Sequence, residues 1–419
     1  TRTGTTTNGV PPGTVDSSQE FRVRDADGAA HCTTHGGECG THSTTEATRG
    51  TTFIGELLAD EQVARTTASA WVNCPDGDTS CNGAGTTHTN LRTNQAETAA
   101  FLGAISDDTA ALNQLSQPVM WTRETSGSSH CSVRGGDCNA DTRSTATTNV
   151  QWDGGSSHPI VLAAATTTAD GSVDCPDGCS GESSTSTRGR AVDAIPGVKL
   201  TVRETTGFAD CAVRAGDCDS HAESLVETRA ERRGDTVVVE PFAASSADGS
   251  VTCPAACDGE ASSATRVTGT NATPAGVRSW SSRGAADCTI RGGTCGADSQ
   301  SHISEQLPLS ADSGSSTTEP VATSDAGAWV DCPADVPSCS GTATSSVAAS
   351  DSAVNGGHER GSSATAGCEV TNGACDASTY SQASSRGDFA VNSQPGPSSM
   401  STASANLDCS AAPNCSGTV

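Results

Sequence analysis

Apolar or small side chains alternate with polar ones along much of this chain. Phe21-Arg-Val-Arg24, Met120-Trp-Thr-Arg123, Leu200-Thr-Val-Arg203 and Val277-Arg-Ser-Trp280 each show it. A period of two marks a strand with one buried face and one wet face. A second set reads the same way: Ala70-Trp-Val-Asn-Cys74, Gly171-Ser-Val-Asp-Cys175 and Ala328-Trp-Val-Asp-Cys332. Between the sets lie Ser/Thr-rich stretches and apolar patches such as Thr236-Val-Val-Val-Glu240 and His158 to Ala165. Thr and Val favour strands, while Gly, Asp and Pro punctuate them. The pattern predicts an all-β chain.

Cysteines mark the phase of this pattern. Cys131-Ser-Val-Arg-Gly-Gly-Asp-Cys138 returns in edited form at Cys32–Cys39, Cys211–Cys218, Cys288–Cys295 and Cys368–Cys375. It reads as a stapled β-turn, with Gly supplying the positive φ of a tight reversal. A second motif alternates with it: Cys74–Cys81, Cys175–Cys179, Cys253–Cys257, Cys332–Cys339 and Cys409–Cys415. All 20 cysteines fall into these pairs. Local pairing within each motif is the expectation; joining the first staple to the second within a unit is the competing connectivity. Zinc is disfavoured because the second motif varies in length and no histidine accompanies it consistently.

Each second motif ends Cys-x-Gly, and cutting there gives five units: 1–83, 84–181, 182–259, 260–341 and 342–419, the last with the opening of a further unit. The expectation is a tandem array of five small disulfide-stapled, immunoglobulin-like β-sandwiches of about 80 residues each. Thr418-Val419 followed by Thr1-Arg2-Thr3-Gly4 resembles the openings at 184–189 and 264–269, which suggests either a window cut from a longer array or a subunit that continues head-to-tail into the next. Unit two carries an insertion at about 95–117, where Phe101, Leu102, Ile105, Leu112 and Leu115 fit helical spacing. It reads either as a helical docking patch for a neighbouring chain or as a long loop.

Composition bears on stability and setting. Leu, Ile, Val and Phe make up about an eighth of the chain, and the net charge is −26. Such a balance belongs to disordered chains unless covalent staples replace a thick core. Paired cysteines in this number imply an oxidising compartment, so the chain is placed outside the cell or at its surface. The acidic balance argues against nucleic acid, whose phosphates attract a basic stripe. The longest apolar run, 159–165, is far too short to span a membrane.

Candidate chemistry is sparse. Asp25-Ala-Asp27-Gly28 looks like a fragment of a calcium loop, but Glu124-Thr-Ser-Gly127 and Glu204-Thr-Thr-Gly207 keep only the glycine. A polar turn is the better reading, and calcium has no further support. The Asp-Gly pairs at 76–77, 170–171, 177–178 and 248–249 read as turns. Asn271-Ala-Thr273 and Asn414-Cys-Ser416 match the N-glycosylation acceptor, and the Ser/Thr-rich strands invite O-glycans. No catalytic motif or cofactor-binding loop is found, so neither an enzyme nor a cofactor is expected.

This arrangement resembles, at the level of architecture and over the whole chain, the tandem-repeat stalks of extracellular filaments and surface appendages, such as bacterial adhesin stalks or mastigoneme-type hairs of algae. The sequence reading is therefore a structural segment of an extracellular filament or sheath, glycosylated on Ser/Thr. Its partners would be further copies of itself, joined by contacts that do not close. The alternative is the stalk of a cell-surface adhesin or other repeat binding protein.

Overall fold

The structure is a computed structural model. It describes residues 19–54, 57–75, 80–97, 119–152, 159–176, 179–195, 199–233, 236–273, 276–304, 307–309, 317–318, 321–333, 336, 339–353, 358–388, 396–408 and 416–419.

Long strands account for most of the described residues. The first unit supplies β1 (Gln19–His35), β2 (Glu38–Ile54) and β3 (Leu57–Asn73). Then come β4 (Asn82–Glu97), β5 (Val119–Arg134), β6 (Asp137–Trp152) and β7 (Pro159–Cys175). They are followed by β8 (Ser180–Ile195), β9 (Lys199–Arg214) and β10 (Gly216–Arg233). Two longer elements, β11 (Thr236–Thr273) and β12 (Gly276–Ser304), precede the short β13 (Leu307–Leu309) and β14 (Thr317–Thr318). The chain closes with β15 (Val321–Asp331), β16 (Ser340–Ala353), β17 (His358–Thr371), β18 (Ala374–Asp388), β19 (Gly396–Asp408) and β20 (Ser416–Thr418).

Antiparallel pairing sorts the strands into two ladders. Layer A runs β1-β4-β5-β8-β9-β11-β12-β16-β17-β20. Layer B runs β2-β3-β6-β7-β10-β11-β12-β15-β18-β19. β11 and β12 pass through both layers, with a register shift between Cys253 and Asp258, so the two form one continuous sheet.

This corrects the expectation of five immunoglobulin-like sandwiches. Each later unit adds two strands to each layer, and pairing runs through the unit cuts without a break. Gly83, Gly181, Gly259 and Gly341, taken as boundaries, lie near the starts of β4 and β8, within β11 and near the start of β16. A unit buries its inner face only by stacking on its neighbours.

The cysteine motifs are the places where the chain changes layer. Cys131 ends its run in β5 of layer A, and Cys138 begins β6 of layer B. The bond thus crosses the sandwich; it does not tie two neighbours in one ladder. Each first-motif crossing has a positive φ four residues after its first cysteine: Gly36 (87°), Gly135 (82°), Ala215 (62°), Gly292 (67°) and Asn372 (55°). Glycine is suited to this backbone and Asn tolerates it, but Ala215 carries a steric cost there. The second motif returns the chain to layer A, and its ends bond to the next crossing. Cys74 N–H donates to Gly136 O (3.1 Å) and Gly135 N–H to Cys81 O (3.1 Å). Cys332 and Gly373 (3.0 Å), and Asn372 and Cys339 (3.0 Å), repeat the arrangement.

Alternation then decides what faces inward. At the crossing end lies a belt of cystines with Val72, Val133, Val173, Val213, Val251, Ile290, Val330 and Val370. Here the glycine of Cys-x-Gly acts as a socket. A β-carbon on Gly341 would fall 2.6 Å from Val330 Cγ1, and Gly83, Gly181 and Gly259 meet Val72, Val173 and Val251 in the same way. Deeper along the strands lies a belt of hydroxyls, several of which pair across the layers. Thr89 and Ser144 (2.9 Å), Ser183 and Ser220 (2.7 Å), Thr187 and Ser224 (2.9 Å), and Thr265 and Ser299 (2.8 Å) bridge the layers. Paired hydroxyls let Ser and Thr fill a core without the cost of an unmet polar group. Beyond them sits a second apolar belt that includes Leu91, Val226, Val267, Trp280 and Ile303.

Several sequence readings change with this geometry. Asp25, Asp27 and Gly28 lie within β1, not in a turn. Gly171 and Gly249, from two of the Asp-Gly pairs, are inward-facing positions within β7 and β11. The pairs at 76–77 and 177–178 lie outside the described residues.

Candidate functional site

The structure bonds nine of the cysteine pairs: Cys32–Cys39, Cys74–Cys81, Cys131–Cys138, Cys175–Cys179, Cys211–Cys218, Cys253–Cys257, Cys288–Cys295, Cys332–Cys339 and Cys368–Cys375. Cys409–Cys415 and the patch Phe101, Leu102, Ile105, Leu112 and Leu115 lie outside the described residues.

Asn271 is the clearest correction among the site residues. Its side chain is 0% exposed, and its Oδ1 accepts from Thr201 Oγ1 at 2.9 Å. It occupies an inward position of β11, so the folded chain has no room for a glycan there. Burial also divides the Ser/Thr-rich strands. Hydroxyls on inner faces, such as Ser144, Thr167 and Ser220, are enclosed, leaving the outward half of each strand for any sugar.

The outer face of layer B carries the densest ionisable cluster. Strand register places Asp141, Asp170, His221, Asp248 and Asp298 side by side on β6, β7, β10, β11 and β12. Neighbouring strands are about 4.8 Å apart, so these groups act on one another directly. His221 Nδ1 lies 2.5 Å from Asp170 Oδ1, and this bond raises the histidine's pKa against the opposing effect of burial. Partial burial, then the Asp170 charge, raises Asp141. Asp298 is pushed up to about 7 by burial, then by its hydrogen bond and charge contact with Asp248, and by Asp325. Two rows away, Asp217 is raised by burial, Asp174 and Asp219. Like charges in a half-buried row favour shared protons. Among the described residues, no group of three or more His, Cys, Asp or Glu side chains is arranged to hold a metal ion.

The outer face of layer A has a different character. A shallow groove of about 940 Å³ crosses its strands near the cystine belt. Arg134, Arg214 and Arg291 line it together with Glu182, Glu260 and Glu369. Opposite signs are interspersed: Ser132 Oγ donates to Glu182 at 3.0 Å, and Arg291 lies 3.9 Å from Asp258.

The ends of the two ladders form a third feature. Among the described residues, β1 and β2 each pair on a single side at one end; at the other, β19 pairs with β18, and β20 pairs with Glu369–Thr371 of β17. Residues 399–406 of β19 are exposed, including those whose counterparts in β3 are buried.

Sequence reasoning missed the buried ion pairs. Arg123 Nη1 donates to Asp193 Oδ1 at 2.5 Å, and Thr228 Oγ1 donates to the other carboxylate oxygen at 2.7 Å. Arg278 makes a two-point contact with Asp351 (3.1 and 2.9 Å) and stacks 5.2 Å over Trp280. The available signal was an arginine eight residues before the first-motif cysteine at Arg24, Arg123, Arg203 and Arg360, with Trp280 in that place in unit four.

No protein-family model, curated protein or solved structure matches the chain. No helix among the described residues is long and apolar enough to cross a membrane, a test that does not address membrane strands.

Proposed function

We propose that this chain is a structural segment of an extracellular filament or sheath. The observation that carries the reading is the unbroken pairing of both layers from β1 and β2 to β19 and β20 across the described residues. Repeat arrays of this kind gain stability from each added unit, and contacts that do not close propagate into fibres. Closely spaced cystines resist reduction outside the cell and shorten the segments a protease can open. Acidic, hydroxyl-rich outer faces stay wet and discourage lateral clumping. O-linked sugars would sit on the outward hydroxyls of both layers.

Electron microscopy and sedimentation of the oxidised chain over a concentration series test this reading. Particles one array wide that lengthen with concentration are expected. A chain that remains monomeric at every concentration would remove the support for polymerisation.

A further inference from the structure

We infer that Arg266, Arg283 and Phe208, on the outer face of layer A, form a binding site for an acidic saccharide. The two arginines take one carboxylate or sulfate group, and Phe208 takes the face of a neighbouring sugar ring. Such a site works on a single copy of the chain and goes beyond the filament reading.

Several outward arginines of this chain stand opposite acids. Arg92 faces Asp25 and Glu124, Arg190 faces Glu124 and Glu204, Arg65 faces Glu46, and Arg291 faces Asp258. Arg266 and Arg283 differ: they are exposed and stand directly opposite each other on β11 and β12. No other two basic residues do so in the described ladders. On their other sides they meet Thr206 and Ala348. The carboxylate diagonal to Arg266 is Glu204, which already takes Arg188 at 3.3 Å and Arg190 at 3.2 Å. Among the described residues neither Arg266 nor Arg283 has a hydrogen bond or an ion pair. Like charges directly opposite in a ladder are destabilising. An anion seated between them removes that repulsion, and guanidinium groups present parallel N–H donors to carboxylate or sulfate oxygens.

Phe208 is the apolar half of the site. It lies on β9 between Ser186 of β8 and Ala264 of β11, and it is 43% exposed. Ala285 of β12 follows Ala264 in the same row, so small side chains floor the sheet beside the ring. Strands lie about 4.8 Å apart, and successive outward positions about 6.7 Å apart. Phe208 is one strand and one row from Arg266, and two strands and one row from Arg283. Those offsets are roughly 8 and 12 Å at the backbone, the span of one or two sugar rings. An apolar ring face resting on Phe208 and Ala264 thus brings an acidic substituent within reach of both arginines.

The surroundings narrow the ligand class. A net charge of −26 repels a densely charged polyanion, whereas two arginines suit an isolated acidic group among neutral sugars. An acidic peptide fits less well. Peptides attach to sheets chiefly through main-chain bonds at a free edge, and here β9, β11 and β12 are paired on both sides in layer A. A saccharide needs no strand edge; it uses the ring face and the side-chain donors that this surface offers.

Titration of the oxidised chain with a tetrasaccharide alternating glucuronate and N-acetylglucosamine, at low salt and followed by NMR, tests the site. Saturable binding is expected, with shifts confined to β9, β11 and β12 and their immediate neighbours. Arg266→Gln and Arg283→Gln should each weaken it about tenfold, as should a neutral tetrasaccharide of N-acetylglucosamine used in place of the acidic one. Phe208→Ala should weaken it several-fold. Either arginine variant also relieves the repulsion, so without ligand it should melt no lower than the parent. A lower melting temperature would assign the arginines to holding the sheet and overturn the site. So would no binding, equal binding of the neutral sugar, or inorganic sulfate binding as tightly as the tetrasaccharide. An Asp/Glu-rich peptide that binds more tightly, with Phe208→Ala having no effect, would replace the saccharide by a protein partner. Any of these failures leaves the filament reading standing, and failure to assemble leaves this site standing.

Discussion

The two ends of each sandwich rung solve the same packing problem differently. At the crossing end, every described unit uses one solution: cystines, a valine or its equivalent, and a glycine socket. Towards the hairpin end the solutions vary. Unit two ties Arg123 to Asp193 of the following strand pair, and unit four uses Arg278, Trp280 and Asp351. The geometry of a bond across two layers leaves little freedom in its surroundings. Non-covalent pairing at the other end has several solutions of similar volume, so the residues differ from unit to unit.

The comparison is broken most severely at the non-covalent end. Asp193→Ala would leave the Arg123 guanidinium, 3% exposed, without its carboxylate. Loss of one partner of a buried pair costs about 3–5 kcal/mol. The expected result is a large drop in the denaturation midpoint, with exchange loosened first at the hairpin ends of β5 and β8. At the crossing end, replacing Cys211 and Cys218 together by Ala removes one cystine. A closed loop of this length contributes about 2.5 kcal/mol. Denaturant titration should show that smaller loss, confined to β9 and β10 by exchange. If the cystine variant loses more than the Asp193 variant, the contrast between the ends is reversed.

A smaller effect of opposite sign sharpens the contrast. Ala215 sits at φ 62°, where four other crossings have Gly or Asn. Ala215→Gly relieves the steric cost and should stabilise by about 1 kcal/mol, partly offset by a freer unfolded chain. An unchanged or lower midpoint would show that the crossing is not strained there.

The smallest effect concerns the outer face of layer B. Asp298 is raised from 3.8 to about 7, and His221 is raised above its ordinary 6.5. Both groups therefore bind protons more tightly in the folded state than in the unfolded chain. Their favourable contribution is present in acid and is lost as pH rises through the folded values. Melting temperature should climb as pH falls from 8 towards about 5, by a few degrees once solvent screening is allowed for. Asp298→Asn should flatten that slope. A slope of opposite sign would mean that the row is not sharing protons.

The all-β class and the spacing of the cystines were legible because both are local. A period of two and a pair of cysteines seven residues apart leave a direct mark on the chain. The identity of each strand's next neighbour was not legible. Met120 to Arg123 alternates in the same way whether β5 pairs within an isolated sandwich or with β4 and β8 of a continuous layer. Gly171 and Gly249 read as turn residues because Asp-Gly usually is one; inside strands they provide close approach between the layers. Asn271 carried an acceptor motif, but burial is a property of the opposite layer and not of the tripeptide.

Alternation, cystine spacing and charge are thus properties of the sequence alone: it dictates strands, ten cysteine-pair motifs and a chain that depends on staples because its apolar content is low. Tertiary structure decided that the units share one two-layered body, that hydroxyls and ion pairs fill the inner belts, and that carboxylates from five strands stand in rows. The physical reason is range. Side-chain direction along a strand follows from backbone pleating within a few residues, whereas ladder order, register between units and burial depend on residues tens of positions away, whose pairing is chosen by the fit of the whole inner face.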